Sequence, residues 1–196
     1  MVPVVVSLPA GHVWLRVADS SWHDPLDVSW ARRSGGRWNP AGSFGVLYLN
    51  EDLDTARAQI AALLEPWPAH PEDLREDAPF VLVMARLPIR QRVADALSDR
   101  GVEALGLPLT YPLDEAGRTI AHEVCQPIGG AVHESGLRGV WYRSAKASHS
   151  GAHELAWFPV EGGRAPRKVG DAVSFRRWWE ARDLGQLVAR EEAGPR

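Results

Sequence analysis

Short apolar segments with a strand-like repeat recur along the chain and constrain its fold more than any other feature. Residues 12–17 alternate, so that Trp14 and Arg16 share the face opposite to the apolar side chains. Residues 80–87 form a nearly continuous apolar run, which is typical of a buried central strand. Three further strands are predicted at residues 46–49, 139–144 and 155–160.

Segments with helical spacing lie between these strands, but strands and helices do not alternate regularly as they do in a parallel sheet. The first predicted helix follows Asp52 or Asp54 as its cap, and a second spans about 89–98. Two more run from Arg118 to Cys125 and from Pro127 to Gly136. The last contains Trp178 and Trp179 and ends near Ala189. This order predicts an α+β fold, with a mixed, bent β-sheet and flanking helices. At 196 residues, the whole chain 1–196 is interpreted as one domain.

Composition limits the classes of function. A net charge of −3 argues against a nucleic-acid or membrane-surface binder. No apolar run is long enough for a membrane helix, and residues 2–8 make a poor signal peptide, so we expect a cytoplasmic protein. The single cysteine, Cys125, excludes an internal disulfide and a thiolate zinc cluster, and we expect no metal site.

The densest segment for binding chemistry is residues 35–40, Gly-Gly-Arg-Trp-Asn-Pro. Glycines let backbone amides approach an anion, and Arg37 can hold a phosphate at two points. The same loop can equally be a turn whose arginine pairs with a surface carboxylate. Tyr48, in the strand that follows, either stacks on a base or packs in the core.

Several familiar catalytic patterns are missing. The sequence has no Walker loop, dinucleotide-binding glycine motif, His-Glu-x-x-His helix or Gly-x-Ser-x-Gly elbow. The adjacent pairs His122-Glu123 and His153-Glu154 resemble acid–base pairs, but neighbouring side chains on a helix or strand point apart.

The segment 35–40, followed by Gly42-Ser43-Phe44, the strand at 46–49 and a capped helix, resembles the RES domain family. Residues 125–126 and 139–144 are similar to the second half of that family, and the resemblance spans about residues 12–160. It implies a fold like that of ADP-ribosyltransferases. It also implies a toxin of a bacterial toxin–antitoxin pair that destroys NAD⁺ by phosphorolysis or hydrolysis.

The resemblance also assigns roles to individual residues. Arg37 matches the family arginine, Tyr48 its strand tyrosine and Arg16 a further arginine of the NAD⁺ pocket, with Trp38 and Asn39 beside them as substrate-binding residues. The family serine falls on Ser144, or an alternative alignment places Glu123 there.

The family glutamate falls on Gln59, which is a departure with chemical consequences. Glutamine keeps a hydrogen bond but supplies no negative charge for a cationic transition state. On a helical wheel Gln59 flanks the buried face, as either a cleft-lining residue or a cap on the core.

Two functions are therefore predicted. The first is cleavage of the nicotinamide–ribose bond of NAD⁺ as substrate, with no cofactor and with water or inorganic phosphate as acceptor. The second is a RES-like domain that binds a nucleotide or an antitoxin without turnover. In both cases the expected partners are NAD⁺ and a cognate antitoxin protein, with self-association allowed and no direct contact to nucleic acid.

Overall fold

A computed structural model describes residues 1–146 and 151–187. Its strands form one mixed sheet in the order β1-β5-β6-β7-β3-β2-β4-β8. They are β1 (Val5–Ser7), β2 (Trp14–Asp19), β3 (Leu47–Asn50), β4 (Phe80–Arg86), β5 (Arg92–Ala96), β6 (Gly139–Arg143), β7 (His153–Trp157) and β8 (Arg167–Lys168). The pair β5–β6 is parallel and the other neighbours are antiparallel, which confirms the predicted α+β class with a mixed sheet.

The helices lie between these strands in the chain. They are α1 (Ser29–Ser34), α2 (Leu53–Leu64), α3 (Asp99–Ala104), α4 (His122–Glu134) and α5 (Phe175–Trp179), with a 3-10 turn at Pro71–Asp73. Of the two caps predicted for α2, Asp52 is the one observed, since its side chain accepts a hydrogen bond from the backbone N–H of Thr55 at 2.7 Å.

The shortest strand pairing in the sheet joins β2 to β3. These strands share one register pair, Leu15 with Asn50, whereas β2 pairs with β4 along its whole length. Asn50 and Tyr48 are two residues apart on β3 and lie on the same face as Leu15. This face is called the site face below.

Two separate apolar cores cover the site face, one on each side of β3. The first joins β5, β6 and β7 to α3 and α4, with Val140, Ala156 and Val132 among its members. The second joins β2 and β4 to α2 and α5, with Leu15, Ile60 and Trp178. The opposite face carries a third core of Leu8, Trp14, Leu47, Leu49, Val93, Leu155 and Trp157, which crosses the β2–β3 joint. Polar side chains on the site face can therefore occupy the seam between the first two cores.

Several expectations about secondary structure differ from the structure. Residues 89–98 contain strand β5 instead of a helix, because pairing with β1 and β6 overrides the four-residue spacing of Val93 and Leu97. The strand predicted at 80–87 forms β4 and is buried as expected, but it lies beside the edge strand β8 and not at the centre.

The two helical segments predicted across Pro127 form the single helix α4, which starts at His122 and contains Pro127. The helix with Trp178 and Trp179 ends at Trp179, and its predicted end near Ala189 lies outside the described residues. Residues 147–150 of the predicted loop at 145–152 also lie outside them.

Helix α4 reaches the loop before β3 through a glycine. A Cβ atom at Gly129 would lie 1.9 Å from the carbonyl oxygen of Trp38, so no larger residue fits without moving the backbone. The next residue, Gly130, has nothing within 4 Å of the same position. Gly129 therefore sets the distance between α4 and this loop.

The two neighbouring glycines give a matched test of this contact. We expect Gly129→Ala to lower the free energy of unfolding by about 3 kcal/mol, since it forces two backbones apart. Gly130→Ala should raise it by roughly 0.5–1 kcal/mol, because alanine favours a helix interior. Chemical denaturation followed by circular dichroism measures both, and equal effects would contradict the close approach.

Candidate functional site

The loop before β3 is held by the hydroxyl group of Tyr48. This hydroxyl accepts a hydrogen bond from the backbone N–H of Trp38 at 2.9 Å and donates one to Oδ1 of Asn39 at 2.8 Å. The fully buried Asn39 amide in turn donates to the carbonyl groups of Ala31 and Phe44. A Cβ atom at residue 36 would lie 2.5 Å from the Tyr48 hydroxyl, which explains the glycine there.

Arg37 extends from this loop to the start of α4. Its Nη1 donates to the carbonyl oxygen of Ile120 at 2.9 Å and lies 3.9 Å from Sγ of Cys125. The side chain of Gln126 donates to the carbonyl oxygen of Gly36 at 3.0 Å, so α4 holds both sides of the arginine. A guanidinium has five N–H groups, and these contacts engage the Nη1 amine.

A row of polar side chains crosses the site face at the seam between the two cores. Nδ2 of Asn50 donates to Oε1 of Gln59 at 2.9 Å, which connects β3 to α2. Asn50 is the register partner of Glu154 on β7. Directly opposite residues on antiparallel strands have Cβ atoms about 4.5–5.5 Å apart, so Glu154 and Asn50 are neighbours on the site face.

Glu154 is fixed by two hydroxyl groups. The Ser144 hydroxyl donates to its Oε1 at 2.5 Å, and the Tyr142 hydroxyl donates to its Oε2 at 2.6 Å. Ser144 is fully buried, and its Oγ also accepts the backbone N–H of Lys146 at 3.2 Å. The serine therefore orients the carboxylate.

Burial and neighbouring charges determine the protonation states. Burial, with the Glu154 carboxylate adding to it, raises the pKa of both Tyr142 and Tyr48, so both hydroxyls stay protonated donors. Burial raises the pKa of the Cys125 thiol, and the neighbouring Arg37 only partly opposes this. Cys125 is thus kept as a thiol, which is a poor nucleophile. Partial burial, then the charge of Arg37, lowers the pKa of His122 and favours neutral imidazole.

The structure brings four of the eight predicted site residues towards the site face. Tyr48, Gln59 and Ser144 lie at the polar seam or hold its side chains, and Arg37 extends from the loop that Tyr48 holds. Trp38 instead lies fully buried in the first core, with its ring centroid 5.4 Å from that of Tyr142. Asn39 is also fully buried and shapes the loop through its hydrogen bonds.

Arg16 lies on the opposite face of the sheet. As predicted it shares a face with Trp14, whereas Leu15 points to the site face. Arg16 borders a separate pocket of about 460 Å³ that is also lined by Trp22, His23, Asp24, Asp27, Ser29, Trp30 and Arg33. Its guanidinium stacks on the Trp22 ring at 5.5 Å, and its buried Nη1 has no hydrogen-bond partner in the described part of the chain. Burial lowers the pKa of Arg16 to about 10, although Asp27 and Asp24 oppose the shift.

Two other carboxylates, Glu123 and Glu51, lie away from the polar seam. Glu123 is exposed in the first turn of α4, next to His122. Glu51 accepts hydrogen bonds from Trp141 at 3.2 Å and pairs with His153 at 2.8 Å, and it follows Asn50 on β3, so its side chain points away from the site face. In residues 1–146 and 151–187, no three His, Cys, Asp or Glu side chains come close enough to hold a metal ion.

Glu154 is the site residue that sequence reasoning missed. The sequence showed it only as the neighbour of His153. The signal that places it is the register of β3 against β7, which aligns Asn50 with Glu154 across more than 100 residues of chain.

A comparison with protein families shows which family the chain belongs to. The family model of the RES domain matches residues 12–179. The chain belongs to the RES domain family. The match extends past residue 160, where the resemblance seen in the sequence ended, and includes helix α5.

The fold of this RES domain protein is similar to that of the toxin in the M. tuberculosis MbcT–MbcA toxin–antitoxin complex. The TM-score is 0.66 at 20% sequence identity, over 89% of this chain and 92% of the other. Curated protein sequences gave no match. Within the described residues, no helix is both long and apolar enough to span a membrane.

Removing the Tyr48 hydroxyl tests its role in the loop. We expect Tyr48→Phe to lower the free energy of unfolding by about 1–3 kcal/mol, because the Trp38 N–H and the Asn39 side chain lose a buried partner. The crystal structure of the variant should show the loop at residues 36–39 displaced. Unchanged stability in urea denaturation would mean that the hydroxyl does not hold the loop.

Proposed function

We propose that this RES domain protein cleaves the nicotinamide–ribose bond of NAD⁺. The observation that carries the proposal is the joint placement, on one face of the sheet, of a held arginine and a held carboxylate. Arg37 offers N–H donors to phosphate oxygens, and Glu154 offers negative charge to a developing cation. Family membership supports this assignment of roles.

Binding is assigned to the two ends of the seam. Arg37 holds the pyrophosphate through guanidinium N–H groups left by its bonds to α4. The half-buried ring of Tyr48 lies beside the same loop and packs against the nicotinamide riboside end. Gln59 remains a hydrogen-bond partner for the ribose, with its carbonyl oxygen held by Asn50.

The reaction conserves charge and atoms in a simple way. The bond between ribose C1′ and the pyridinium nitrogen breaks, and its electron pair leaves with nicotinamide, which becomes neutral. A water oxygen then bonds to C1′ and releases one proton to solvent, giving ADP-ribose. An oxygen of inorganic phosphate in the same position gives ADP-ribose 1″-phosphate. Positioning and electrostatic stabilisation carry the acceleration, because the leaving group needs no protonation.

A toxin role with a cognate antitoxin is part of the proposal. The structure with the similar fold is that of a toxin–antitoxin complex. We infer that an antitoxin protein controls this chain in the same way, in the cytoplasm where NAD⁺ is available.

One observation favours a second function, binding without turnover. The position on α2 that faces the seam carries the neutral Gln59. A domain in which no other carboxylate acts on the substrate would bind NAD⁺ or an antitoxin and leave the nucleotide intact.

Replacing Arg37 tests the proposed function. The purified protein should consume NAD⁺, and Arg37→Ala should lower kcat/KM by at least ~100-fold, since a phosphate contact is lost. Liquid chromatography of NAD⁺, nicotinamide and ADP-ribose products, with and without inorganic phosphate, measures the loss and names the acceptor. Arg86→Ala, an exposed arginine on β4, is the control and should leave activity unchanged.

The same variants separate the two candidate functions. NAD⁺ binding without consumption by the wild-type protein, seen by calorimetry, would establish the binding-only function. Growth arrest with NAD⁺ depletion on expression in bacteria, absent with Arg37→Ala, would support the toxin role. Neither binding nor consumption of NAD⁺ would refute the proposal.

Arg16 gives a separate test because its pocket lies on the opposite face. If an extended NAD⁺ reaches this pocket, Arg16→Ala should raise KM about tenfold and leave kcat within twofold, since uniform binding is lost. Steady-state kinetics measure both constants. An unchanged KM would show that NAD⁺ does not use the pocket.

A further inference from the structure

Helix α2 leaves the seam without a negative charge. Gln59 is the α2 side chain that contacts β3 there, and its carbonyl oxygen already accepts the hydrogen bond from Asn50. Its remaining N–H groups are donors, which cannot stabilise positive charge. Cleavage at ribose C1′ develops positive charge on the sugar, so a carboxylate from another element is required.

Glu154 lies where such a carboxylate is required. It is the register partner of Asn50 on the site face, and the Asn50 side chain donates a hydrogen bond to Gln59 of α2. Its charge also reaches Tyr48 and Tyr111, whose hydroxyl pKa values are raised first by burial and further by Glu154. The Tyr48 hydroxyl in turn holds the loop that carries Arg37.

Two hydrogen bonds fix the direction of the Glu154 carboxylate. Each carboxylate oxygen accepts one hydrogen bond from a hydroxyl group, Oε1 from Ser144 and Oε2 from Tyr142, and each keeps a further lone pair for a ligand. In the described part of the chain, Glu154 forms no ion pair with Arg, Lys or His. Its charge therefore remains available to a cation.

We propose that Glu154, on β7, is the catalytic carboxylate of this chain and replaces the charge that Gln59 on α2 does not provide. It accepts a hydrogen bond from a ribose hydroxyl and stabilises the positive charge on the sugar as nicotinamide leaves. Ser144 and Tyr142 are positioning residues that act through Glu154. This inference rests on the proposed function, since it concerns the same reaction.

Four variants, each with a measured melting temperature, test the inference. Glu154→Gln should lower kcat for NAD⁺ consumption about 100-fold, the size expected for one transition-state contact, with KM nearly unchanged. Adding Gln59→Glu to that variant should raise its kcat at least about tenfold, because the new carboxylate returns a negative charge to the seam from α2. A purely structural role for Glu154 would not allow this rescue.

Glu51→Gln is the matched control. It removes a partly buried, hydrogen-bonded carboxylate from the adjoining position of the same sheet, on the opposite face. We expect its kcat to stay within twofold of the wild type. If Glu154→Gln does not fold, Glu154→Asp keeps the charge but withdraws it by one methylene, and kcat should fall about tenfold.

The outcomes distinguish this inference from the proposed function. A Glu154→Gln variant that keeps more than half of the wild-type kcat, while Arg37→Ala is inactive, overturns the role of Glu154 and leaves NAD⁺ cleavage in place. An inactive wild type that gains activity with Gln59→Glu also overturns it, because Glu154 then fails to replace the α2 charge. A wild type that neither binds nor consumes NAD⁺ refutes the proposed function itself.

Discussion

The hydrogen bonds of the Tyr48 hydroxyl connect the sheet to the loop on which the site depends. Through Trp38 and Asn39 this one group fixes the backbone of residues 36–39, and the loop then directs Arg37 towards α4. Helix α4 in turn approaches so closely at Gly129 that its position is set by the Trp38 carbonyl. Strand, loop and helix therefore hold the arginine from three sides before any ligand binds, which lowers the ordering cost of binding.

The polar side chains of the site face lie where its two apolar cores meet. On the site face, the first core ends near Tyr48 and the second begins at Leu15, so the seam between them is left to Asn50, Gln59 and Glu154. On the opposite face one apolar core runs across the same joint. Apolar burial on the opposite face holds the sheet together, so the site face can carry polar side chains that are paired with one another.

Local patterns in the sequence predicted much of this structure. The Gly-Gly-Arg-Trp-Asn-Pro loop, the strand with Tyr48 and the Asp52 cap of α2 each depend on residues close together in the chain. Strand β5 was mistaken for a helix because Val93 and Leu97 fit both repeats, and only its neighbours β1 and β6 decide between them. The position of Glu154 beside Asn50, and the fact that Arg16 and Tyr48 lie on opposite faces, both depend on how distant strands pair. Neighbouring residues in the sequence do not specify this register.

The single register pair between β2 and β3 also affects how the molecule fluctuates. So short a ladder opens at a lower free energy than the long pairing of β2 with β4, because on the site face each side has its own core and only the third core, on the opposite face, crosses the pairing. The amides of the β2–β3 pairing are thus expected to exchange with solvent before those between β2 and β4. Gln59 lies on one side of this pairing and Glu154 on the other. A bound molecule that contacts both residues would bridge the pairing and slow exchange there.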